Sequence, residues 1–167
     1  MPNKVIPAEP LLITIDTREK RPWEFGELRE RRLIETRWEK CSAGDYMVEI
    51  PCEPDKSEYI SIERKQLDDY IRCITSDWFR FKEQLKNMVS VCATGCGCVV
   101  VEADWNDIEK KRYQQIGVPQ VRILAATANI STNFVPVYFA GKRENAMTFA
   151  YYWLKQTKEK MEKRAIC

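Results

Sequence analysis

The sequence predicts a mixed α/β fold, a central β-sheet with helices on both sides. Three observations carry this expectation. Short apolar runs rich in β-branched residues, "LLITID" (11–16), "YISIER" (59–64) and "GCVVVEA" (97–103), read as buried strands. Between and after them, apolar residues recur at helical spacing. The composition, 44% hydrophobic and 31% charged over 167 residues, suits one domain with a substantial core.

The elements follow in order. "LLITID" ends in Asp16 and runs into "TREKRPWEFGEL", whose proline and glycine mark a loop. "RLIETRWEKC" (32–41) is compatible with helix or strand, and its C-terminal part favours strand. "SAG" breaks the chain before "DYMVEI" (45–50), and "PCEPDKSE" (51–58) is a turn with two prolines. "YISIER" closes a hairpin with "YMVEI", so this first part reads as an antiparallel meander.

Helical spacing begins after Lys65. Leu67, Tyr70, Ile71 and Ile74 share one face, and Trp78, Phe81, Leu85, Met88 and Val89 repeat it after an N-cap at Ser76 or Asp77. "GCVVVEA" is continuous enough for a central, doubly covered strand. "DWNDIEKKRYQQI" reads as helix after an Asp104 cap, and "VPQVRILAATANI" (118–130) as helix opened by proline. "VPVYFA" (135–140) is a short strand. The rest is a long amphipathic helix whose apolar face carries Ala146, Phe149, Ala150, Trp153, Leu154 and Met161.

Composition excludes several chemistries. The chain has no histidine, so serine–histidine and cysteine–histidine triads and HExxH-type zinc sites are out. Catalysis must rest on carboxylates, lysine, cysteine, tyrosine or a hard metal ion. The net charge of +2 does not by itself argue for nucleic acid. Seven cysteines, an odd number, in a chain without a signal pattern or a membrane-length apolar run, point to free thiols in an intracellular protein. Cys92, Cys96 and Cys98 lack the spacing of a zinc knuckle and read as buried thiols in a turn. Trp78, Trp105 and Trp153 read as core, and Trp23, beside "REKR", as a candidate for stacking on a base.

Charge at the ends of apolar strands is the feature that calls for function. Side chains alternate on a strand, so Glu63 and Lys65 face one side and Arg64 the other. Asp45 follows Gly44 at the start of the neighbouring hairpin strand, and Asp16 ends the first strand. Asp16, Asp45 and Glu63 are expected to converge, and their mutual repulsion is relieved by a hard divalent cation, Mg²⁺ or Mn²⁺. Lys65 beside that cation suits work on an attacking water or on a phosphoryl oxygen.

"GDY" at 44–46 and "ERKQLDD" at 63–69 match the pattern GD…ERKxxxD. The chain thereby resembles the nuclease domain of the XPF-type structure-specific endonucleases, in the wider PD-(D/E)xK superfamily. "IDTRE" (15–19), "VVVEAD" and "VPVYFAGKRENAMTFAYYWL" resemble the family's first strand, later strand and closing helix. The resemblance covers about residues 11–157. It implies a restriction-endonuclease-like fold and a metal-dependent endonuclease acting on branched or junction DNA. Carried over by position, Asp16, Asp45 and Glu63 would bind metal and Lys65 would act on the attacking water. Arg64 would support the site or touch phosphate, and Asp69 would hold Arg64 or Lys65. Arg18, Lys20 and Arg21 would meet DNA at the rim, with Glu19 an outer acid. A single domain over 1–167, without helix–hairpin–helix or helicase modules, is expected, as is a homodimer through the C-terminal helices around Phe149, Tyr152 and Trp153. No membrane association is expected. A catalytically silent module of the same fold, or a resolvase- or restriction-like nuclease, are the alternatives.

Overall fold

The computed structural model describes residues 9–53, 56–109 and 117–165. Six strands form one mixed sheet: β1 (Leu11–Asp16), β2 (Ile34–Glu39), β3 (Tyr46–Glu53), β4 (Lys56–Gln66), β5 (Cys92–Glu102) and β6 (Val137–Phe139). Among the described residues, six helices accompany it: α1 (Gly26–Glu30), α2 (Leu67–Cys73), α3 (Trp78–Val91), α4 (Trp105–Glu109), α5 (Gln120–Asn133) and α6 (Arg143–Ala165). The strand order is β2-β1-β3-β4-β5-β6.

The β3–β4 hairpin forms as expected, but the meander does not. β1 lies between β2 and β3, parallel to the first and antiparallel to the second. Burial explains the order. β1 buries Ile13, Thr14, Ile15 and Asp16 and needs neighbours on both edges, whereas β2 is mostly polar and suits the sheet edge. β4, β5 and β6 are mutually parallel, joined by the helical crossovers that parallel pairing requires.

Strand alternation divides the core into two layers. Ile13, Ile15, Tyr46, Ile62, Cys98 and Val100 face α6, where Ala146, Ala150 and Leu154 are fully buried and the small residues let the helix approach closely. Val99 and Val101 face the other way, against Tyr70, Ile71, Phe81, Leu85, Met88, Ile123 and Ile130 of α2, α3 and α5. Val89, expected on the apolar face of α3, is exposed.

The caps are informative. Asp104 accepts from the Asp107 N–H, and the Asp107 carboxylate accepts from the Asp104 N–H, a reciprocal box opening α4. Residues 110–116, expected to continue that helix, lie outside the described residues. Asp77 sits at the N-cap of α3 but makes no side-chain cap bond, because its carboxylate pairs with Arg80. Cys92, Cys96 and Cys98 are buried in β5 itself rather than in a turn, as free thiols. Among the described residues no helix is long and apolar enough to cross a membrane.

Candidate active site

The charged strand ends meet at one end of the sheet. β1, β4 and β5 finish there, and β3, running antiparallel to its neighbours, begins there. Asp16, Arg18, Glu19, Lys20, Arg21, Asp45, Glu63, Arg64, Lys65 and Asp69 all line one open cleft of ≈ 690 Å³.

Gly44 makes the entry to β3 possible. Its backbone is left-handed (φ +67°), and a Cβ there would lie 2.2 Å from Ser61 Oγ and 2.8 Å from Ile62 O. Any larger residue would be strained twice, by the backbone and by the collision. The Ser61 hydroxyl donates to Ala43 O at 2.8 Å and holds the turn against β4.

Asp45 is stitched into place on three sides. Its N–H donates to Ile62 O, its C=O accepts from the Asp16 N–H, and its Oδ2 accepts from the Arg64 N–H at 2.7 Å. Burial, and then the neighbouring Glu63 charge, push its carboxyl well above the ordinary carboxylate range; Lys65 and the Arg64 N–H offset this only in part.

Glu63 and Lys65 share a strand face, as their spacing requires, and their side chains form a short ion pair. Lys65 Nζ also lies 5.6 Å from the centre of the Phe81 ring. Burial alone would lower the Lys65 ammonium, but the Glu63 and Asp45 charges and the Glu63 hydrogen bond outweigh it and keep it protonated.

Asp16 is buried and spoken for. Arg18 donates to it through its own N–H and its guanidinium, at 2.6–2.8 Å, and the Cys41 N–H donates at 3.0 Å. Burial would raise this carboxyl, but those hydrogen bonds prevail and hold it below its ordinary value. Both oxygens are taken, so the three acids expected around one cation are not gathered in this arrangement. Among the described residues, no three acid, thiol or imidazole side chains form a ready metal cluster. Asp45 and Glu63 do fit a hard divalent cation: they are adjacent, mutually repelling and purely oxygen donors.

Arg64 faces the opposite side of the sheet, toward α6. It is buried, gripping Glu102 through Nε and Nη2, each at 2.8 Å, with Glu19 at 3.4 Å. The guanidinium, expected to support the site or to touch phosphate, is occupied by these carboxylates in this structure. Glu102, ending β5, is the residue that sequence reasoning missed. It also accepts from Trp23 Nε1 at 2.7 Å and from Arg143 at 3.2 Å, tying the 17–25 loop and the start of α6 to the site. Its signal was present: like Asp16, it is an acid closing an apolar strand.

Two other expectations are corrected. Asp69 pairs with Arg72 at 3.6 Å, one turn on along the surface of α2, rather than with Arg64 or Lys65. Trp23 is buried, stacked on Tyr46 with ring centres 4.5 Å apart, and is closed to any base. Arg18, Lys20 and Arg21 are exposed at the cleft rim as expected, and Glu19 accepts from the Arg21 N–H behind them.

Fold and site together define a class: an α/β nuclease domain of the XPF type. The sequence profile of the ERCC4 domain matches residues 15–152, and the chain belongs to that family. Its structure is similar to XPF from Aeropyrum pernix, with a TM-score of 0.61 at 14% identity, over 87% of this chain and 61% of that one. It is similar also to XPF from Aeropyrum pernix in complex with DNA, with a TM-score of 0.60 at 17% identity, over 90% of this chain and 66% of that one. The chain thus covers less than two thirds of either XPF chain. No curated protein matches it.

Proposed function

We propose that this chain is a divalent-metal-dependent endonuclease that hydrolyses phosphodiester bonds in branched or structured DNA. The observation that carries this reading is the meeting of Asp45, Glu63 and Lys65 in one open cleft, with two acids whose repulsion calls for a cation. Family membership and the similarity to an XPF solved with DNA support it.

Asp45 and Glu63 would hold the cation, Mg²⁺ or Mn²⁺, which when bound would supply Lewis-acid charge at the phosphoryl group. Lys65, freed from Glu63, orients the attacking water and meets charge developing on the phosphate. Arg18, with its side chain 63% exposed while it neutralises Asp16, is placed to exchange that carboxylate for a substrate phosphate. Asp16, so released, would join Asp45 and Glu63 as a carboxylate able to hold a cation. Lys20 and Arg21 extend the cationic rim along the DNA backbone. Arg64 and Glu102 keep β4 and β5 in register beneath the reacting groups.

The protein acts inside the cell as a homodimer, with α6 contributing the half-exposed Tyr152 and Phe149, whose ring lies 5.0 Å from that of Tyr138 on β6, to the contact. The test is cleavage of labelled single strand, duplex, 3′ flap, 5′ flap, fork and four-way junction with Mg²⁺, Mn²⁺ or chelator. Cation-dependent cutting concentrated on the branched DNAs is expected. Failure on every substrate would leave a silent DNA-binding module, and preference for plain duplex a restriction-like enzyme.

A further inference from the structure

The wall of the cleft opposite the strands is a polar stripe of α3. Asp77, Arg80, Gln84 and Asn87 recur at helical spacing and all line it. Three of these side chains have partners. Asp77 pairs with Arg80, and Asn87 donates to Ser42 O at 2.6 Å, anchoring the helix to the turn that carries Gly44 and Asp45. Gln84 differs. Its Oε1 is buried and makes no hydrogen bond, the one such side-chain atom among the described residues. An acceptor removed from water without a partner is destabilising, so its place calls for a use.

Lys65 supplies the use. Its Nζ sits over Phe81, three residues before Gln84 on the same helix, in the same cleft. In this structure Lys65 is paired with Glu63. A cation that draws Glu63 away strips a largely buried ammonium of its partner in the same cleft as an oxygen that lacks a donor.

We propose that Gln84 is a positioning residue of this site: its side-chain oxygen accepts from the Lys65 ammonium when Glu63 turns to a divalent cation. This rests on the cation reading of Asp45 and Glu63 given above. Exchange of one acceptor for another lets Glu63 leave without stranding Lys65, and it fixes the Lys65 side chain where the attacking water is handled.

The test uses Gln84→Met, which keeps the length and removes the acceptor, and Gln84→Glu, which restores an oxygen. Mn²⁺ affinity is measured by calorimetry, thermal midpoint without cation by scanning, and kcat and KM by DNA cleavage. Gln84→Met is expected to bind Mn²⁺ about 10–100-fold more weakly, since a lost acceptor for a charged donor is worth roughly that much in binding. Its cation-free midpoint is unchanged or higher, and kcat falls while KM for DNA holds. Gln84→Glu recovers Mn²⁺ affinity. Wild-type Mn²⁺ affinity in Gln84→Met overturns the proposal. So does a lowered cation-free midpoint with affinity intact, which assigns Gln84 to packing. A wild-type protein that takes up no Mn²⁺ at all fails the underlying cation reading instead, and shows this before any variant is compared.

Discussion

Arg64 grips Glu102 through two parallel hydrogen bonds of 2.8 Å, joining adjacent strands on the face of the sheet that packs against α6. Both side chains are buried, and the geometry is the planar fork that guanidinium and carboxylate favour. Substituting Glu102 by Ala leaves Arg64 with only the longer contact to Glu19, and a buried charge stripped of its partner costs ~3–5 kcal/mol. Urea denaturation is expected to show that loss. Arg64→Met together with Glu102→Leu recovers most of it, because the pair then becomes apolar packing.

Gly44 makes a second, independent prediction. The left-handed backbone alone costs a non-glycine residue about 1–3 kcal/mol, and the collision with Ser61 and Ile62 adds to it. Gly44→Ala is expected to lower the thermal midpoint by more than about 5 °C, given ~2–4 °C per kcal/mol at this chain length. A midpoint within a degree or so of wild type would mean that the turn accommodates a Cβ.

Asp45 and Asp16 predict opposite pH behaviour. The Asp45 carboxyl is held above its unfolded value, so its contribution to stability is full in acid and lost as pH rises through its folded value. Asp16 is held below its unfolded value, so its contribution is present near neutrality and lost as pH falls. Asp45→Asn is therefore expected to stabilise the cation-free protein by ~1–2 kcal/mol near neutrality, with little gain at about pH 4. Asp16→Asn does the reverse, destabilising near neutrality and converging with wild type in acid. Thermal midpoints across that range distinguish the two.

The described thiols make a chemical prediction. Burial pushes Cys41 and Cys92 up to about 12, and Cys73, Cys96 and Cys98 above their ordinary value. Thiolates are the reactive form, so these five are expected to resist iodoacetamide in the native protein and to react fully in denaturant. Mass mapping of the alkylated peptides checks this.

Much of this architecture is legible in the sequence, and the exceptions have physical reasons. Glu63, Arg64 and Lys65 could be assigned to opposite faces because strand alternation is local. Gly44 and Asp45 could be tied to the same place because a hairpin fixes its own register. The position of β1 between β2 and β3 could not be read, because sheet order is decided by which strand can be buried on both edges. The partnership of Arg64 with Glu102 depends on that order too, since the two residues meet only where β4 lies beside β5. Trp23 was misread for a related reason: a loop sequence beside basic residues gives no sign that the ring folds inward onto Tyr46 and donates to Glu102. Asp69 fits the motif by spacing, yet its helix carries it to Arg72.

The central claim is that Asp45, Glu63 and Lys65 form a working hydrolytic site. It is tested most directly by the single-turnover rate of Lys65→Ala with Mn²⁺, on whichever DNA the wild-type protein cuts fastest. The site predicts a loss of about 10²-fold or more, with DNA affinity little changed. Cutting by Lys65→Ala at the wild-type rate would contradict it.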